Sequence, residues 1–254
     1  MRASNWLISA NCLLGPNGPK KDAVRFLHTL ISSKTPFLIL TNRSGRSPEG
    51  LCTSFTEAGF KGVRPEMFFT SIMAAIDYAA HVRPEAQTAG YIGGESVRTL
   101  LKRAGYAVDL DEADWLFIAD DRNATFNDYS YALRLLQGKA EMIAADASLT
   151  YEASVGTVLG PGAVAGMLRE VSGKEPIFTG MPSSIMIERA LAYMDAPKET
   201  AILVGCEPES DIRAGNSAGI ETVYILPEGT DYDTVFGVQD KPTYMIKDLS
   251  GLLR

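Results

Sequence analysis

Four short segments of this chain carry side chains that could do chemistry, and each adjoins a run of apolar residues. The segments are Ser9–Cys12, Thr41–Asn42, Gly180–Ser183 and Gly205–Asp211. Their side chains offer hydroxyls, thiols, amides and carboxylates. In an open parallel sheet, ligands bind beyond the carboxyl ends of the strands. We therefore take these four segments as the candidate functional site.

The hydroxyl of Ser9 could act as a nucleophile if a neighbouring base activated it. The histidines of the sequence are His28 and His81. Both fall in predicted helices, at positions where structural or solvated roles are more common. The sequence therefore does not favour a serine mechanism, although it leaves one open.

Thiols and carboxylates offer two further kinds of site. Cys12 and Cys206 could lie close together at the strand ends and form a redox or soft-metal pair, but small buried cysteines more often only pack. Glu207, Glu209 and Asp211 could form a metal site beside Cys206. For these acids we favour capping and favourable charge at the start of a helix.

Strands and helices alternate along the chain and must position these segments. Apolar runs predict strands at Trp6–Ser9, Pro36–Thr41, Ala89–Ile92, Asp114–Ala119, Glu141–Ala145, Ile177–Thr179, Ala201–Gly205 and Thr222–Leu226. Helical spacing predicts helices between them, including Ser71–Val82, Val164–Val171, Ser184–Met194 and Ser210–Ala218. This alternation implies parallel sheets covered by helices.

Composition excludes several classes of function. The chain has 254 residues, 46% hydrophobic residues and a formal net charge of −7, with scattered Lys and Arg. Such a surface predicts binding to neither nucleic acid nor an anionic membrane. Three widely spaced cysteines, and no apolar run typical of a signal peptide, predict a cytoplasmic protein without disulfides.

The four segments, in this order and spacing, resemble the four motifs of the haloacid dehalogenase (HAD) superfamily. The closest resemblance is to the NagD-type and 4-nitrophenylphosphatase-type sugar phosphatases, and it covers nearly the whole chain. LILTNRS resembles the second motif, TGMPSS the third, and TAILVGCEPESDIRAGNSAGIETVYIL the fourth motif with its following strand. The resemblance implies a Rossmann-like, doubly wound parallel α/β core over residues 1–75 and 178–254. It also implies an inserted α/β cap domain over residues 76–177.

The catalytic residues of that family are replaced in this sequence. The family uses an Asp nucleophile, an Asp general acid and base, a phosphate-binding Lys and an Asp that completes a Mg²⁺ site. The corresponding positions here hold Ser9, Asn11, Met181 and Cys206. Mg²⁺ prefers oxygen ligands, and Asn11 has no proton to give at neutral pH. Because the carboxylates and the facing Lys are lost together, we expect an electrically balanced, neutral pocket without Mg²⁺.

The resemblance therefore predicts a non-catalytic relative that binds a phosphorylated small molecule, an anion or a protein partner. The alternative is a phosphatase that acts on small phosphate esters through a non-standard site, and a third possibility is another enzyme built on Ser9 or the thiols. Candidate ligand-binding residues are Thr41, Asn42, Ser183 and Asp211. No metal is expected, with Glu207 and Asp211 as weak candidate ligands. A homo-oligomer formed through the cap is also predicted.

Overall fold

The computed structural model describes residues 4–153, 155–230 and 239–253. The longer strands of the described chain are β1 (Asn5–Ser9), β4 (Phe37–Thr41), β5 (Phe68–Thr70), β6 (Thr88–Ile92), β8 (Trp115–Ile118), β9 (Glu141–Ala144), β10 (Thr150–Ala153), β11 (Gly156–Leu159), β13 (Ala201–Gly205), β14 (Glu221–Ile225) and β15 (Tyr244–Ile246). Two-residue strands are β2 (Leu14–Gly15), β3 (Gly18–Pro19), β7 (Ala107–Val108) and β12 (Ile177–Phe178). The α-helices are α1 (Ala10–Leu13), α2 (Ala23–Ser32), α3 (Pro48–Glu57), α4 (Ser71–Val82), α5 (Glu95–Arg103), α6 (Phe126–Gln137), α7 (Pro161–Ser172), α8 (Ser184–Tyr193) and α9 (Arg213–Ala218).

The chain divides into two compact units, each built from separate stretches of sequence. Unit 1 comprises residues 1–41, 48–69 and 181–254, and unit 2 comprises residues 42–47 and 70–180. Each unit contains its own sheet and its own apolar core. The two units therefore each have the layered organisation of an α/β domain.

Unit 1 is built on a six-stranded sheet in the order β15-β14-β13-β1-β4-β5. Strand β1 pairs in parallel with β13 on one side and with β4 on the other. Strands β4 and β13 are buried along their whole length, which is why they appear in the sequence as continuous apolar runs. The chain continues from β1 to β4 and β5 on one side and later adds β13, β14 and β15 on the other, so the carboxyl end of β1 lies at a topological switch point, where ligands bind in such folds.

Unit 2 contains a five-stranded sheet in the order β12-β9-β8-β6-β7, whose strand pairs are parallel. Helices α4 and α5 pack a cluster of buried apolar residues that includes Trp115 and Phe117, and α6 and α7 pack another that includes Leu116 and Met142. An antiparallel hairpin, β10–β11, completes the unit. The predicted fold class, parallel α/β sheets with helices, is confirmed.

Several elements differ from the sequence-based prediction. The hairpin β10–β11 and the edge strand β15 were not predicted, because their strands are only three or four residues long and are partly exposed. The helix predicted at Val164 begins earlier, at Pro161, whose fixed φ suits the first helical turn. The helix predicted over Ser210–Ala218 is instead a π-helical turn, Pro208–Ile212, followed by the short helix α9.

No helix within the described ranges is both long enough and apolar enough to cross a lipid bilayer.

Candidate functional site

The candidate site lies at the carboxyl edge of the unit 1 sheet. Ser9 is the last residue of β1 and pairs in register with Leu40 of β4, and Ile8 pairs with Val204 of β13. Neighbouring strands are about 4.8 Å apart. Ser9, at the end of β1, and Thr41, at the end of β4, therefore lie side by side at this edge. Both side chains are buried, with exposed fractions of 2% and 5%. The strand register therefore places two of the predicted site residues next to each other.

The loop that follows β13 is organised by the carboxylate of Asp211. Its Oδ2 atom accepts hydrogen bonds from the backbone N–H groups of Cys206, at 2.8 Å, and Glu207, at 3.1 Å. Gly205 permits this approach, since a Cβ atom there would lie 2.4 Å from the Cβ of Asp211. Asp211 therefore folds the loop back onto the end of β13.

Burial changes the acid–base character of Asp211. Burial raises the pKa of this carboxyl to about 7, and hydrogen bonds from the backbone of Cys206 and Glu207 and from the Ser9 side chain oppose the rise. The negative charge of Glu207 adds to the increase in pKa. At neutral pH, Asp211 is therefore close to its midpoint between the neutral acid and the carboxylate.

Two thiols lie beside this carboxylate. The Sγ atoms of Cys12 and Cys206 and a carboxylate oxygen of Asp211 all lie within 4.8 Å of one another. Burial, followed by hydrogen bonding and charge interaction with Cys206, raises the pKa of the Cys12 thiol well above its ordinary value. Both cysteines are free thiols. The pairing that the sequence raised as a possibility is therefore present as a spatial cluster.

The remaining acids of this loop are exposed. Glu207 accepts a hydrogen bond from the side-chain amide of Asn11 at 2.7 Å, and both residues are exposed. Asn11, which the resemblance matches to the family's general acid and base, therefore uses its amide to hold the loop. Glu209 is also exposed.

The segment that precedes α8 carries an apolar side chain, Met181, at the position that the resemblance matches to the family's lysine. Met181 is buried, with an exposed fraction of 5%. Ser183 caps α8, and its hydroxyl accepts a hydrogen bond from the backbone N–H of Ile185 at 3.4 Å. Asn42 belongs to unit 2, where its backbone carbonyl accepts a hydrogen bond from the Ser71 hydroxyl at 3.1 Å.

The donor set does not fit the Mg²⁺ ion that the family resemblance implies. Mg²⁺ binds through carboxylates, phosphate oxygens and water in near-octahedral geometry. The two positions that the resemblance matches to the family's metal-binding carboxylates hold the Ser9 hydroxyl and the Cys206 thiol, which leaves Asp211, among the described residues, as the one buried carboxylate beside them. We therefore derive no catalytic step through Mg²⁺.

Two site residues have larger roles than the sequence indicated. The candidate binding residues chosen from the sequence did not include Cys12, although its type and position were noted. Gly205 was not singled out from the sequence either. The structure shows that a side chain at this position is excluded, because its Cβ would lie 2.4 Å from the Cβ of Asp211. Position after a strand end was the available signal for both residues.

Comparisons with known proteins extend over most of the chain. A family model described as haloacid dehalogenase-like hydrolase matches residues 12–107, and one described as HAD-hydrolase-like matches residues 178–252. The acid sugar phosphatase of Staphylococcus epidermidis is 28% identical over 90% of this chain and 88% of its own length. The structure of NagD from E. coli K-12 superposes with a TM-score of 0.88 and 25% identity, covering 98% of both chains. A thermostable p-nitrophenylphosphatase from Bacillus stearothermophilus gives a TM-score of 0.87 and 26% identity, covering 98% of this chain and 97% of its own.

The names of these relatives bear on the two predicted functions. They are phosphatase names, and they agree better with the predicted alternative, a phosphatase, than with the predicted non-catalytic protein. The fold, the motif order and the two matched regions all point to one family. The chain therefore belongs to the haloacid dehalogenase-like hydrolases, in the branch that contains NagD and the 4-nitrophenylphosphatases.

Proposed function

We propose that this protein binds a phosphorylated small molecule at the carboxyl edge of the unit 1 sheet and does not hydrolyse it through an aspartyl-phosphate. The observation that carries the proposal is the residue at the end of β1. Ser9 occupies the position of the nucleophile, and Asp211 is the nearby carboxylate, buried and engaged by the backbone.

The replaced residues each remove a different part of the family's reaction. A Ser hydroxyl has to lose a proton before it attacks phosphorus, whereas a carboxylate does not. Asn11 has no titratable proton and donates its amide hydrogen to Glu207. Loss of a nucleophile alone can lower kcat by about 10⁶-fold. The joint replacement therefore argues against turnover by the family's route.

The same replacements leave a pocket that can accept a phosphate group. Burial raises the pKa of the Cys12 thiol well above its ordinary value, so this thiol and the apolar side chain of Met181 place no negative charge beside a bound dianion. Thr41, at the end of β4 beside Ser9, places a hydroxyl donor on this edge. The absence of the family's Lys lowers the expected affinity. The phosphatase names of the relatives support a small phosphate ester as the ligand class.

Calorimetric titration without metal tests the binding proposal. Inorganic phosphate and small sugar phosphates should bind at millimolar or lower concentration, and Thr41→Val should weaken binding by about 10- to 100-fold, as expected for one hydrogen bond to a charged group. Thr53→Val, which changes an exposed residue of α3, is the matched control and should leave affinity unchanged. No binding of wild type at millimolar ligand, or equal loss in both variants, would contradict the proposal.

A phosphatase with a non-standard site is the second candidate, favoured by the relatives' names and by one contact. The Ser9 hydroxyl lies beside Asp211, and a carboxylate with a pKa of about 7 is suited to accept a proton at neutral pH. This candidate requires turnover of 4-nitrophenyl phosphate that is abolished by Ser9→Ala and by Asp211→Asn. Turnover that copurifies with the wild type and disappears in both variants would replace the first proposal with this one.

We also propose that copies of this chain associate through unit 2 and that the protein occupies a reducing compartment. The hairpin β10–β11 and its flanks expose three large apolar side chains, Leu149, Val155 and Leu159, with exposed fractions of 65–75%. Exposed apolar patches commonly mark interaction surfaces. Light scattering should find a mass above 27.4 kDa that decreases in a Leu149→Ser, Leu159→Ser double variant.

The free thiols support a reducing compartment, such as the cytoplasm.

A further inference from the structure

The cluster formed by Cys12, Cys206 and Asp211 has the composition of a site for a softer cation than Mg²⁺. The three residues come from different parts of the fold: Cys12 from α1, Cys206 from the position directly after β13, and Asp211 from the π-helical turn. Parallel pairing of β1 with β13 brings the first two together across 194 positions of sequence. We propose that these three side chains bind Zn²⁺ or a similar borderline divalent cation.

The distances suit a tetrahedral ion. The three donor atoms lie within 4.8 Å of one another. Zn²⁺ binds thiolate sulfur at about 2.3 Å and carboxylate oxygen at about 2.0–2.2 Å, so two donors on one tetrahedral ion are about 3.5–4 Å apart. The side chains therefore need to move by about 1 Å or less. Such a shift is within the reach of small rotations about χ1.

Neighbouring groups hold the donors in place. Asp211 is oriented by the backbone N–H groups of Cys206 and Glu207, and Cys12 is buried with an exposed fraction of 2%. Hydrogen bonds of this kind orient the ligands of metal sites and contribute to affinity. Cys206 is half-buried, so solvent can reach the cluster from its side. Three protein ligands then leave a fourth position for water or another small ligand.

The chemistry of the donors selects against Mg²⁺ and for a thiophilic ion. Thiolates prefer Zn²⁺ and other soft or borderline ions, whereas Mg²⁺ requires oxygen ligands. A divalent cation also offsets the charges of two thiolates and one carboxylate that would otherwise repel one another in a buried place. The replacement of the family's metal-binding Asp by Cys206 thus changes the preferred ion.

Metal-free, chemically reduced protein should bind one Co²⁺ per chain, with the thiolate-to-cobalt charge-transfer absorption of a two-thiolate site, and Zn²⁺ should displace it. Cys12→Ser and Cys206→Ser should each lower affinity by at least about 100-fold, and Asp211→Asn by about 10-fold or more. Cys52→Ser is the matched control, because this third thiol lies on α3 and donates to the backbone of Val63. Millimolar Mg²⁺ should not compete.

A second measurement needs no variant and so does not depend on the folding of one. Zn²⁺ should slow alkylation of Cys206 in the wild type by at least about 10-fold, as ligation removes the free thiolate. Cys52 in the same molecule should react at an unchanged rate, as read by mass spectrometry of peptides. Absence of Zn²⁺ and Co²⁺ binding at micromolar metal, or equal protection of both cysteines, would overturn the proposal. A reduced protein that binds no metal but forms a Cys12–Cys206 disulfide with hydrogen peroxide would also overturn it.

Discussion

Replacing Asp211 with Asn should change how the stability of unit 1 depends on pH. The pKa of Asp211 is about 7 in the folded protein, against about 3.9 for an unfolded Asp. Between about pH 4 and pH 7, Asp211 therefore keeps its proton in the folded protein and loses it in the unfolded protein. The corresponding contribution to stability is complete below about pH 4 and is lost as pH rises through about 7.

The magnitude follows from the shift. About three pKa units at 1.36 kcal/mol each correspond to about 4 kcal/mol between the acidic and alkaline limits, and about 2.5 kcal/mol of this falls between pH 5 and 8. An Asn side chain keeps an oxygen that can accept the N–H groups of Cys206 and Glu207, but it cannot ionise. The free energy of unfolding of the variant, relative to wild type, should therefore rise by about 2.5 kcal/mol from pH 5 to 8.

Urea denaturation followed by tryptophan fluorescence measures this difference. The chain has two tryptophans, Trp6 in unit 1 and Trp115 in unit 2. In a Trp115→Phe background, Trp6 reports on unit 1 alone. Asp146→Asn is the matched control, since burial also raises the pKa of this carboxyl but it lies in unit 2. Parallel pH profiles of wild type and Asp211→Asn between pH 5 and 8 would refute the reasoning.

Three further predictions follow from particular contacts. Tyr106→Phe should leave stability unchanged or raise it, because its buried hydroxyl has no hydrogen-bond partner among the residues that the structure describes. Tyr131→Phe should cost about 0.5–1.5 kcal/mol, because its hydroxyl donates to a backbone carbonyl at 2.6 Å; thermal unfolding of both variants tests this pair. Gly205→Ala should destabilise unit 1 by about 1–3 kcal/mol, because the added Cβ would meet Asp211 at 2.4 Å. Gly166→Ala in α7, where the added Cβ would meet open space, should stabilise the protein by up to about 1 kcal/mol. If urea denaturation showed that both variants were destabilised, the packing argument would be contradicted. Millimolar Mg²⁺ should leave the thermal midpoint unchanged, and a clear rise in the midpoint that Asp211→Asn abolishes would establish a magnesium site instead.

Much of the fold could be predicted from the chain because buried parallel strands have a simple pattern. Strands β4 and β13 are covered on both faces, so nearly every residue in them is apolar and their positions are evident in the sequence. The hairpin β10–β11 and the strand β15 are short and partly exposed, and their sequences differ little from those of loops. Their pairing is decided by the sheet or hairpin partner, which the local sequence does not specify.

The types of the site residues were likewise determined by the sequence alone. By resemblance, Ser9 and Cys206 match positions where a phosphatase of this family has carboxylates, and Met181 matches its Lys; a hydroxyl and a thiol at positions 9 and 206 offer Mg²⁺ no carboxylate there. No tertiary information is needed for that conclusion, because the missing functional groups cannot be supplied by folding.

Only the tertiary structure decided which of these groups meet and how they ionise. Cys12 and Asp211 are 199 positions apart in sequence, and their contact depends on the register of β1 against β13 and on the π-helical turn that directs the carboxylate inward. The pKa of about 7 at Asp211 arises from burial in the folded chain, and the same residue in an extended peptide would titrate near 4. Proximity and desolvation are properties of the packed state, so residue order alone does not determine them.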